Sequence, residues 1–482
     1  MKKKFLTGVG LILLLNFIIK PIWVLGIDRT VQNVVGPAEF GFYFAIFNFS
    51  LIFNMILDFG ITNYNQRTIS QSPQILQKII SRVLPLKLIL SLVYAVVLFI
   101  LAFALGYDGR QFYFLIFLGF NQILASYILY MRSNITGMMM FKTDSIISIM
   151  DKGLMILFCS VLLWGGDAFV PFKIEWFVYS QTAAYIITSI VVSIVVFPKT
   201  KLQRFSWNKR FLFSLVRQAF PYALLSLLMS FHYRIDAVLI ERMLPECGKY
   251  QAGIYAMAYR ILDVFSMASY MMSFFLLPMF SRYIKQKENL KEIVGLAFSI
   301  LITISVIASV ICSFYSSDLM NLMYDNGADL AADVFRILIW GFIAISTSYV
   351  FGTLLTANGS LKQLNIVASI GIIVNLSVNF ILIPKLMAAG SAYASLATQF
   401  VTAIIQIFIA YKVFKLKIDI KYWLRTALFI AGVIFISLGS KYIPLNALIN
   451  FVIAVVASLL WAFILKIITP AYIIKMLKEK EE

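Results

Sequence analysis

The sequence is poor in charge and in the side chains that usually build catalytic or metal sites. Only 13% of its 482 residues are charged, and it has one histidine and three cysteines with no C-x-x-C pair. A soluble domain carries about 25% charged residues, and zinc sites need closely spaced cysteines or histidines. The composition therefore excludes an ordinary soluble domain, and we interpret His232 as a packing or cavity-lining residue.

Catalytic motifs are also missing. The sequence has no G-x-x-x-x-G-K-[ST] loop, so it gives no sign of nucleotide hydrolysis by that route. A membrane polymerase, ligase or glycosyltransferase needs catalytic groups on a sizeable outer loop. The longest predicted outer loop has about 20 residues, and its aspartates, Asp318, Asp325, Asp329 and Asp333, are widely spaced. We expect a protein that is not an enzyme.

Apolar runs dominate the chain, which is 61% hydrophobic with a mean hydropathy of +0.90. A helix rises about 1.5 Å per residue, so runs of about 20 residues cross the ~30 Å apolar layer of a bilayer. The predicted spans are residues 6–34, 40–66, 80–106, 111–136, 144–165, 173–197, 211–242, 251–282, 293–315, 333–356, 362–384, 389–414, 422–441 and 444–468. The sequence predicts an all-α polytopic membrane protein with about 14 transmembrane helices, the first retained rather than cleaved as a signal peptide.

Basic residues alternate between rich and poor loops along the chain. The rich group contains Lys2–Lys4, Arg67, Lys78, Arg82, Arg132, Lys142, residues 199–210, residues 282–291, Lys362, residues 412–421 and the tail from Lys475. The loops between them hold about one basic residue each: Arg29, Arg110, Lys173, Lys385 and Lys441. The positive-inside rule then places both termini in the cytoplasm and the protein in the inner (plasma) membrane. The net charge of +19 is thus a topology signal, and we expect no nucleic-acid partner.

A weak internal repeat relates the first and seventh spans. Ile27-Asp28 ends the first span and is followed by Gly41-x-Tyr43, while Ile235-Asp236 ends the seventh and is followed by Gly253-x-Tyr255. A basic segment joins the halves. Such halves are typical of a two-lobed transporter with a central cavity between the lobes.

The first span carries charge at two depths. Lys20 lies about 22 Å along the helix, where a cation costs about 2.5–3.5 kcal/mol, so a functional role is favoured. Asp28 and Arg29 lie about 34 Å along it, near the predicted outer interface. These two residues either line the cavity, or they serve as an interfacial anchor or a local ion pair.

The second, seventh and eighth spans are also polar. Arg234 and Asp236 are two residues apart and point to different faces, whereas Arg260 and Asp263 share a face and can also form a local salt bridge. In the second span Asn54, Asp58, Thr62 and Asn65 form a polar stripe. We predict a wet cavity whose basic lining suits an anionic substrate such as a phosphate or pyrophosphate. Its cationic residues are Lys20, Arg29, Arg234 and Arg260, and its other polar residues are Asn54, Asp58, Thr62 and Asp263.

A second polar cluster lies late in the chain. Asn375 and Asn379 are four apart in span eleven, and Ser391 and Ser395 are four apart where span twelve begins. Amide, hydroxyl and carboxylate oxygens are ligands for hard cations. Asp236, Asn375, Asn379 and Ser395 are therefore a candidate Na+ site. The alternative is that these residues make ordinary interhelical hydrogen bonds.

Three segments resemble a known family: VVGPAEFGFYFAIFNFSLIFNMILDFGI, IDAVLIERMLPECGKYQAGIYAMAYRI and VNLSVNFILIPKLMAAGSAYASLATQ. They are similar to recurring motifs of the multidrug/oligosaccharidyl-lipid/polysaccharide (MOP) exporter superfamily, in order and over nearly the full length. The branch that the chain most resembles is the oligosaccharide flippases of surface-polysaccharide and O-antigen synthesis.

The resemblance implies two pseudo-symmetric six-helix lobes around a central cavity, plus two C-terminal helices. On this chain the lobes correspond to residues 1–200 and 201–415, and helices 13–14 with the cytoplasmic tail to residues 416–482. It implies alternating access and movement of a polyprenyl-diphosphate-linked oligosaccharide from the cytoplasmic to the outer leaflet. The diphosphate would be neutralised by Lys20, Arg234 and Arg260.

The resemblance also implies what the protein binds besides its substrate. Related lipid II flippases have a sodium site whose pattern matches Asp236, Asn375, Asn379 and Ser395, except that Asn379 stands where that pattern has an acid. Coupling to a Na+ or H+ gradient is implied without a cofactor. Partners are membrane lipids and, on the basic loops, a polysaccharide polymerase or glycosyltransferase.

Two other transporter functions stay open. A multidrug or metabolite cation-coupled antiporter of the same superfamily would favour an acidic cavity, whereas the deep charges here are at least as basic as acidic. A lipid II flippase would share the cationic cavity. The identity of the glycan is beyond what these residues encode.

Overall fold

The apolar runs form helices because a backbone in lipid must satisfy its polar groups within its own segment. The computed structural model describes residues 15–62, 65–66, 69, 74, 76–166, 171–199, 209–287, 289–416 and 420–467, with the backbone alone for 209–219. The start of the first predicted span, the linker at 200–208 and the C-terminal tail lie outside these ranges.

The described helices follow in chain order. They are α1 (Leu15–Ile52), α2 (Leu76–Ala104), α3 (Gly109–Gly137), α4 (Phe141–Trp164), α5 (Ile174–Val196), α6 (Lys209–Met243), α7 (Gly248–Gln286), α8 (Leu290–Phe314), α9 (Ser316–Met323), α10 (Ala328–Leu338), α11 (Gly341–Ala357), α12 (Leu361–Phe414), α13 (Ile420–Ser440) and α14 (Ala447–Ile464). Within α1, residues Ile22–Asp28 form a π-helical turn directly after Pro21, which has no N–H to donate.

Two of the long helices are broken. The backbone of α1 leaves the helical region at Gly36 (φ 81°), just before Pro37, where glycine tolerates a positive φ and the residue before a proline disfavours the helix. The backbone of α12 does so at Met387 (φ 53°), three residues after Pro384. Both breaks fall in the gaps predicted between spans.

The predicted fold class is confirmed. In the described part of the chain, twelve helices are long and apolar enough to cross a membrane, with α10 and α11 counted as one. The breaks divide α1 and α12 into two segments each, so the described helices are roughly consistent with the predicted number of about fourteen spans. The long predicted outer loop is not irregular: it forms α9 and α10, and α10 leads into the tenth span.

The second predicted span, 40–66, was wrong as one continuous helix. The α-helix ends at Ile52, a short 3-10 turn covers Asn54–Leu57, and Phe59 (φ 44°) and Gly60 (φ 73°) lie in the left-handed region. A helix cannot pass through such residues. The polar stripe predicted there is therefore divided: Asn54 lies in the 3-10 turn, Asp58 directly after it, and Thr62 and Asn65 in helical residues beyond Gly60.

The chain divides into two compact units, Met1–Gly253 and Ile254–Glu482. In the first unit α3 and α4 pack along α5, and α1 packs along α6. In the second unit α11 packs along α12, and α8 lies against α11, α13 and α14. The lobe boundaries implied by the resemblance, near residues 200 and 415, stay a prediction.

Candidate functional site

The deep lysine of α1 lies in a cluster of charges inside the first unit. Lys20 is half-buried and has electrostatic interactions with Lys152 and Asp151 of α4 and with Arg132 of α3. Arg132 is held by Asp144, with 2.7 Å between its Nε and Oδ1. Three helices thus bring three cations together against two carboxylates, so the cluster is net positive.

Aromatic rings hold the second lysine of this cluster. The Lys152 ammonium lies 5.4 Å from the ring centroid of Trp23 and 5.6 Å from that of Tyr185, distances at which cation–π attraction operates. Asp151 Oδ2 is 3.7 Å from Lys152 Nζ. These contacts fix the position of a cation at the middle of α4. We call Lys20, Arg132 and Lys152 the cationic cluster.

The other predicted charges of the first unit are buried to different degrees. Arg29 and Arg234 are half-buried, and Arg234 Nη1 lies 3.4 Å from Asn48 Oδ1 of α1. Asp28 and Asp236, the two acids of the repeat, are each only 1% exposed. Asp28 is therefore enclosed by protein.

The polar residues after the end of α1 form a second cluster, around a buried lysine. Lys87 of α2 is 5% exposed, and its ammonium donates to Asp58 Oδ1 at 2.7 Å, to the Leu57 carbonyl at 2.9 Å and to the Ser126 hydroxyl at 3.0 Å. The Leu57 carbonyl is available because the α-helix has already ended. Asp58 also accepts the Thr62 N–H at 3.3 Å and the Thr62 hydroxyl, which caps the restarting helix.

This geometry adds a structural role for part of the second span, whose cavity-lining role stays a prediction. Asp58 and Thr62 were predicted to line the cavity, but Asp58 is an ion-paired anchor for α2, and Thr62 bonds to it. Asn54 is likewise engaged, with its Nδ2 3.4 Å from Gln122 Oε1 of α3. Together these residues hold three helices around a break.

The sequence reasoning missed Lys87, Lys152 and the inward role of Arg132. A signal was present for two of them: Lys87 stands alone in an apolar run two residues after Pro85, and Asp151-Lys152 lies in the middle of a predicted span. Charges at such depths are functional or paired by default. Whether such a charge is functional or only paired depends on the neighbours that other helices supply.

The glycines of the internal repeat meet face to face within the first unit. A Cβ added at Gly41 would lie 1.9 Å from the Lys249 carbonyl oxygen, and one added at Gly253 would lie 1.9 Å from the Pro37 carbonyl oxygen. Gln32 Nε2 donates to the Gly253 carbonyl at 3.1 Å beside this contact. The two Gly-x-Tyr motifs are therefore sites of backbone-to-backbone packing.

The second unit holds the late polar cluster. Asn375 and Asn379 are fully buried in α12, with 3.1 Å between Asn379 Nδ2 and Asn375 Oδ1. Ser391 and Ser395 are also buried, beyond the break at Met387. The break needs Gly390, because a Cβ there would lie 2.4 Å from the Leu382 carbonyl oxygen.

The charges of α7 complete the predicted set. Arg260 and Asp263 are half-buried on one face of that helix in the second unit. The described residues contain no group of three His, Cys, Asp or Glu side chains that could hold a metal ion. A cation held by the late cluster would thus depend mainly on amide and hydroxyl oxygens.

Comparison with known families gives the class of protein. A family model described as polysaccharide biosynthesis protein matches residues 5–284, more than half of the chain, and the MatE model matches residues 221–381. The chain belongs to the polysaccharide biosynthesis protein family, and the resemblance to the MOP superfamily is confirmed. No curated protein shows significant similarity to it.

Solved structures show the same fold. The inward closed conformation of the lipid II flippase MurJ superposes with a TM-score of 0.73 at 13% identity, over 95% of this chain and 98% of that one. An inward-facing multidrug resistance MATE transporter gives 0.66 at 16% identity, over 82% and 94%. A MOP superfamily transporter from Pyrococcus furiosus, noted for a binding pocket of reverse polarity, gives 0.54 at 16% identity, over 84% and 92%.

Proposed function

We propose that the protein is a flippase that moves a polyprenyl-diphosphate-linked oligosaccharide from the cytoplasmic to the outer leaflet for surface-polysaccharide synthesis. The cationic cluster is the observation that carries this proposal. Lys20 and Lys152 lie within membrane-spanning helices, where cations are costly unless anions compensate them, while Arg132 lies near a helix end beside Asp144. The family supports the same substrate class, because it is described as acting in polysaccharide biosynthesis.

The proposed mechanism follows from charge and solubility. Lys20 and Lys152, with Arg234 from α6, would hold the diphosphate by charge-assisted hydrogen bonds. The polyprenyl chain would stay in the lipid while the glycan crosses through the protein. Alternating access then needs only that the loaded state and the empty state favour different conformations.

The proposed roles of Lys20 and Arg234 are tested by removing their charges. In cells that depend on this protein for surface polysaccharide, Lys20→Ala and Arg234→Ala should each lower export about tenfold or more, since a hydrogen bond to a charged group contributes about 1.5–3 kcal/mol. Lys362→Ala, an exposed lysine at the start of α12, is the matched control and should leave export unchanged. Export should be measured at equal amounts of folded protein.

Either of two results would count against this role. If both variants export as well as the control, neither Lys20 nor Arg234 contributes to binding the substrate. If export is normal in cells without the protein but efflux of cationic compounds falls, the multidrug antiporter function is favoured instead, in line with the MatE match.

We also propose that Na+ binds among the oxygens of Asn375, Asn379 and Ser395 of the second unit, while the part expected of Asp236, a residue of the first unit, stays a prediction. The burial of the two asparagines and of Ser395 supports a desolvated site. Binding should be weak because Asn379 is neutral. The variant Asn379→Asp should bind Na+ about tenfold more tightly, and Asn379→Ala should abolish binding.

Thermal stability in NaCl against KCl measures this binding. Wild-type protein should be stabilised slightly by Na+, Asn379→Asp more strongly, and Asn379→Ala not at all. If each of the three proteins is equally stable in the two salts, these residues do not bind Na+ and act only as interhelical hydrogen-bond partners. The coupling ion to test next would then be H+.

The remaining assignments belong to the same proposal. Both termini would be cytoplasmic, in the inner membrane, because the basic loops alternate in that sense. The basic loops would offer a docking surface for a glycan polymerase or glycosyltransferase. The protein itself would have no catalytic step, since moving a lipid between leaflets breaks no bond.

A further inference from the structure

A cavity of about 510 Å³ lies entirely within the second unit, away from every predicted substrate or ion residue. Its lining comes from α8, α11, the end of α12 and the start of α13, together with Ile467 beyond α14. This volume lies within the range of about 300–1,000 Å³ that small-molecule sites occupy. The cavity has no role in the proposed transport cycle.

Five of the fourteen residues that line the cavity are aromatic. The Phe298 ring lies 5.5 Å from that of Phe351 and 6.0 Å from that of Trp423, measured between centroids. Tyr422 is fixed in this wall because its hydroxyl accepts a hydrogen bond from Ser299 Oγ at 2.9 Å. Such a wall is apolar, rigid and suited to an alkyl chain.

The cavity opens at a basic end of the second unit. Its lining includes exposed Lys291 and Glu292 in the first turn of α8. By sequence, nine bases and three acids lie within four positions of a lining residue: Lys285, Lys287, Lys291, Lys412, Lys415, Lys417, Lys421, Arg425 and Lys466, against Glu288, Glu292 and Asp419. This excess of bases favours an anion at the mouth, and this is the end that the positive-inside rule assigns to the cytoplasm.

We infer that this cavity is a binding site for a membrane phospholipid with an anionic headgroup. An acyl chain would enter between the aromatic rings, and the phosphate would lie beside Lys291. Tyrosine and tryptophan, here Tyr422 and Trp423 in the wall, are typical of the level where headgroups meet the apolar layer. A water-soluble anion would leave the aromatic wall uncovered, so an amphiphile fits the whole cavity better. The site is independent of the transported substrate.

Filling the cavity gives a direct test on the full-length protein. A Cβ added at Gly295, which lines the cavity, meets no atom within 4 Å, so Gly295→Leu places its side chain in open space. Helix propensity favours leucine over glycine, so α8 should persist. Gly439→Leu in α13 is the matched control, because a Cβ there also meets nothing within 4 Å and the residue does not line the cavity.

Native mass spectrometry of the purified protein with phosphatidylglycerol or phosphatidylcholine measures the outcome. Wild type and Gly439→Leu should retain phosphatidylglycerol in preference, and Gly295→Leu should lose one tightly bound equivalent. Lys291→Gln should lower the preference for phosphatidylglycerol about fivefold, while Lys362→Gln should not.

Two results would overturn the inference. Unchanged phosphatidylglycerol binding by Gly295→Leu would show that the lipid binds elsewhere. Equal binding of the two lipids by wild type would show that the basic mouth does not select a headgroup.

Discussion

Replacing Lys87 by methionine should destabilise the protein by about 3 kcal/mol, the lower end for a broken buried pair, because the Asp58 carboxylate that loses its cation is 27% exposed. Lys87 also donates to the Leu57 carbonyl at 2.9 Å and the Ser126 hydroxyl at 3.0 Å, so three acceptors lose this donor together. Thermal unfolding of the purified protein in detergent measures the loss.

The double variant Lys87→Met/Asp58→Asn is the matched control for this prediction. It removes both charges, and replacing a buried ion pair by neutral groups is often close to neutral in stability. We expect it to recover most of the lost stability, because the Leu57 carbonyl still accepts a hydrogen bond from the Ser126 hydroxyl at 3.2 Å. A single variant as stable as wild type would mean that the pair is hydrated and does not anchor α2.

Replacing Gly253 by alanine should have the second-largest effect. The added Cβ would lie 1.9, 2.6 and 2.9 Å from three backbone atoms of Pro37, and backbone cannot rotate aside as a side chain can. Overpacking typically costs about 1–3 kcal/mol, and a clash with backbone alone belongs at the upper end. The melting temperature should fall, and Gly41→Ala should behave in the same way because it meets the Lys249 carbonyl.

Gly439→Ala is the control for the glycine variants, since its Cβ meets nothing within 4 Å and alanine favours a helix. It should be as stable as wild type or slightly more so. If Gly253→Ala and Gly439→Ala have the same melting temperature, the backbones of α1 and α7 are not in close contact in the purified protein.

The fold could be predicted because lipid imposes one simple requirement on a backbone. Apolar runs of sufficient length had to become helices, and the gaps at residues 35–39 and 385–388 correctly located the breaks at Gly36 and Met387. The break after Ile52 was missed. Its flanking residues are mostly apolar, and only Gly60 signalled a left-handed backbone.

The candidate site was less predictable, because the role of a charge depends on its neighbours in space. Asp58 looked like a cavity residue until Lys87, 29 positions along the chain, proved to be its partner. Lys20 was identified from depth alone, yet its companions Lys152 and Arg132 come from other helices. The repeat pointed to Gly41 and Gly253, but only the coordinates show their close packing.

The function we propose for this protein is to move a diphosphate-linked glycan lipid across the bilayer. The most direct measurement uses proteoliposomes with the purified protein and a polyprenyl-diphosphate oligosaccharide, and follows exposure of the glycan to an added glycosidase over time. We predict rapid exposure of the inner-leaflet pool by wild type, about tenfold slower exposure by Lys20→Ala, and no comparable movement of lipid II. The proposal would be contradicted if the purified protein moved lipid II or a cationic dye but exposed the glycan no faster than protein-free liposomes do.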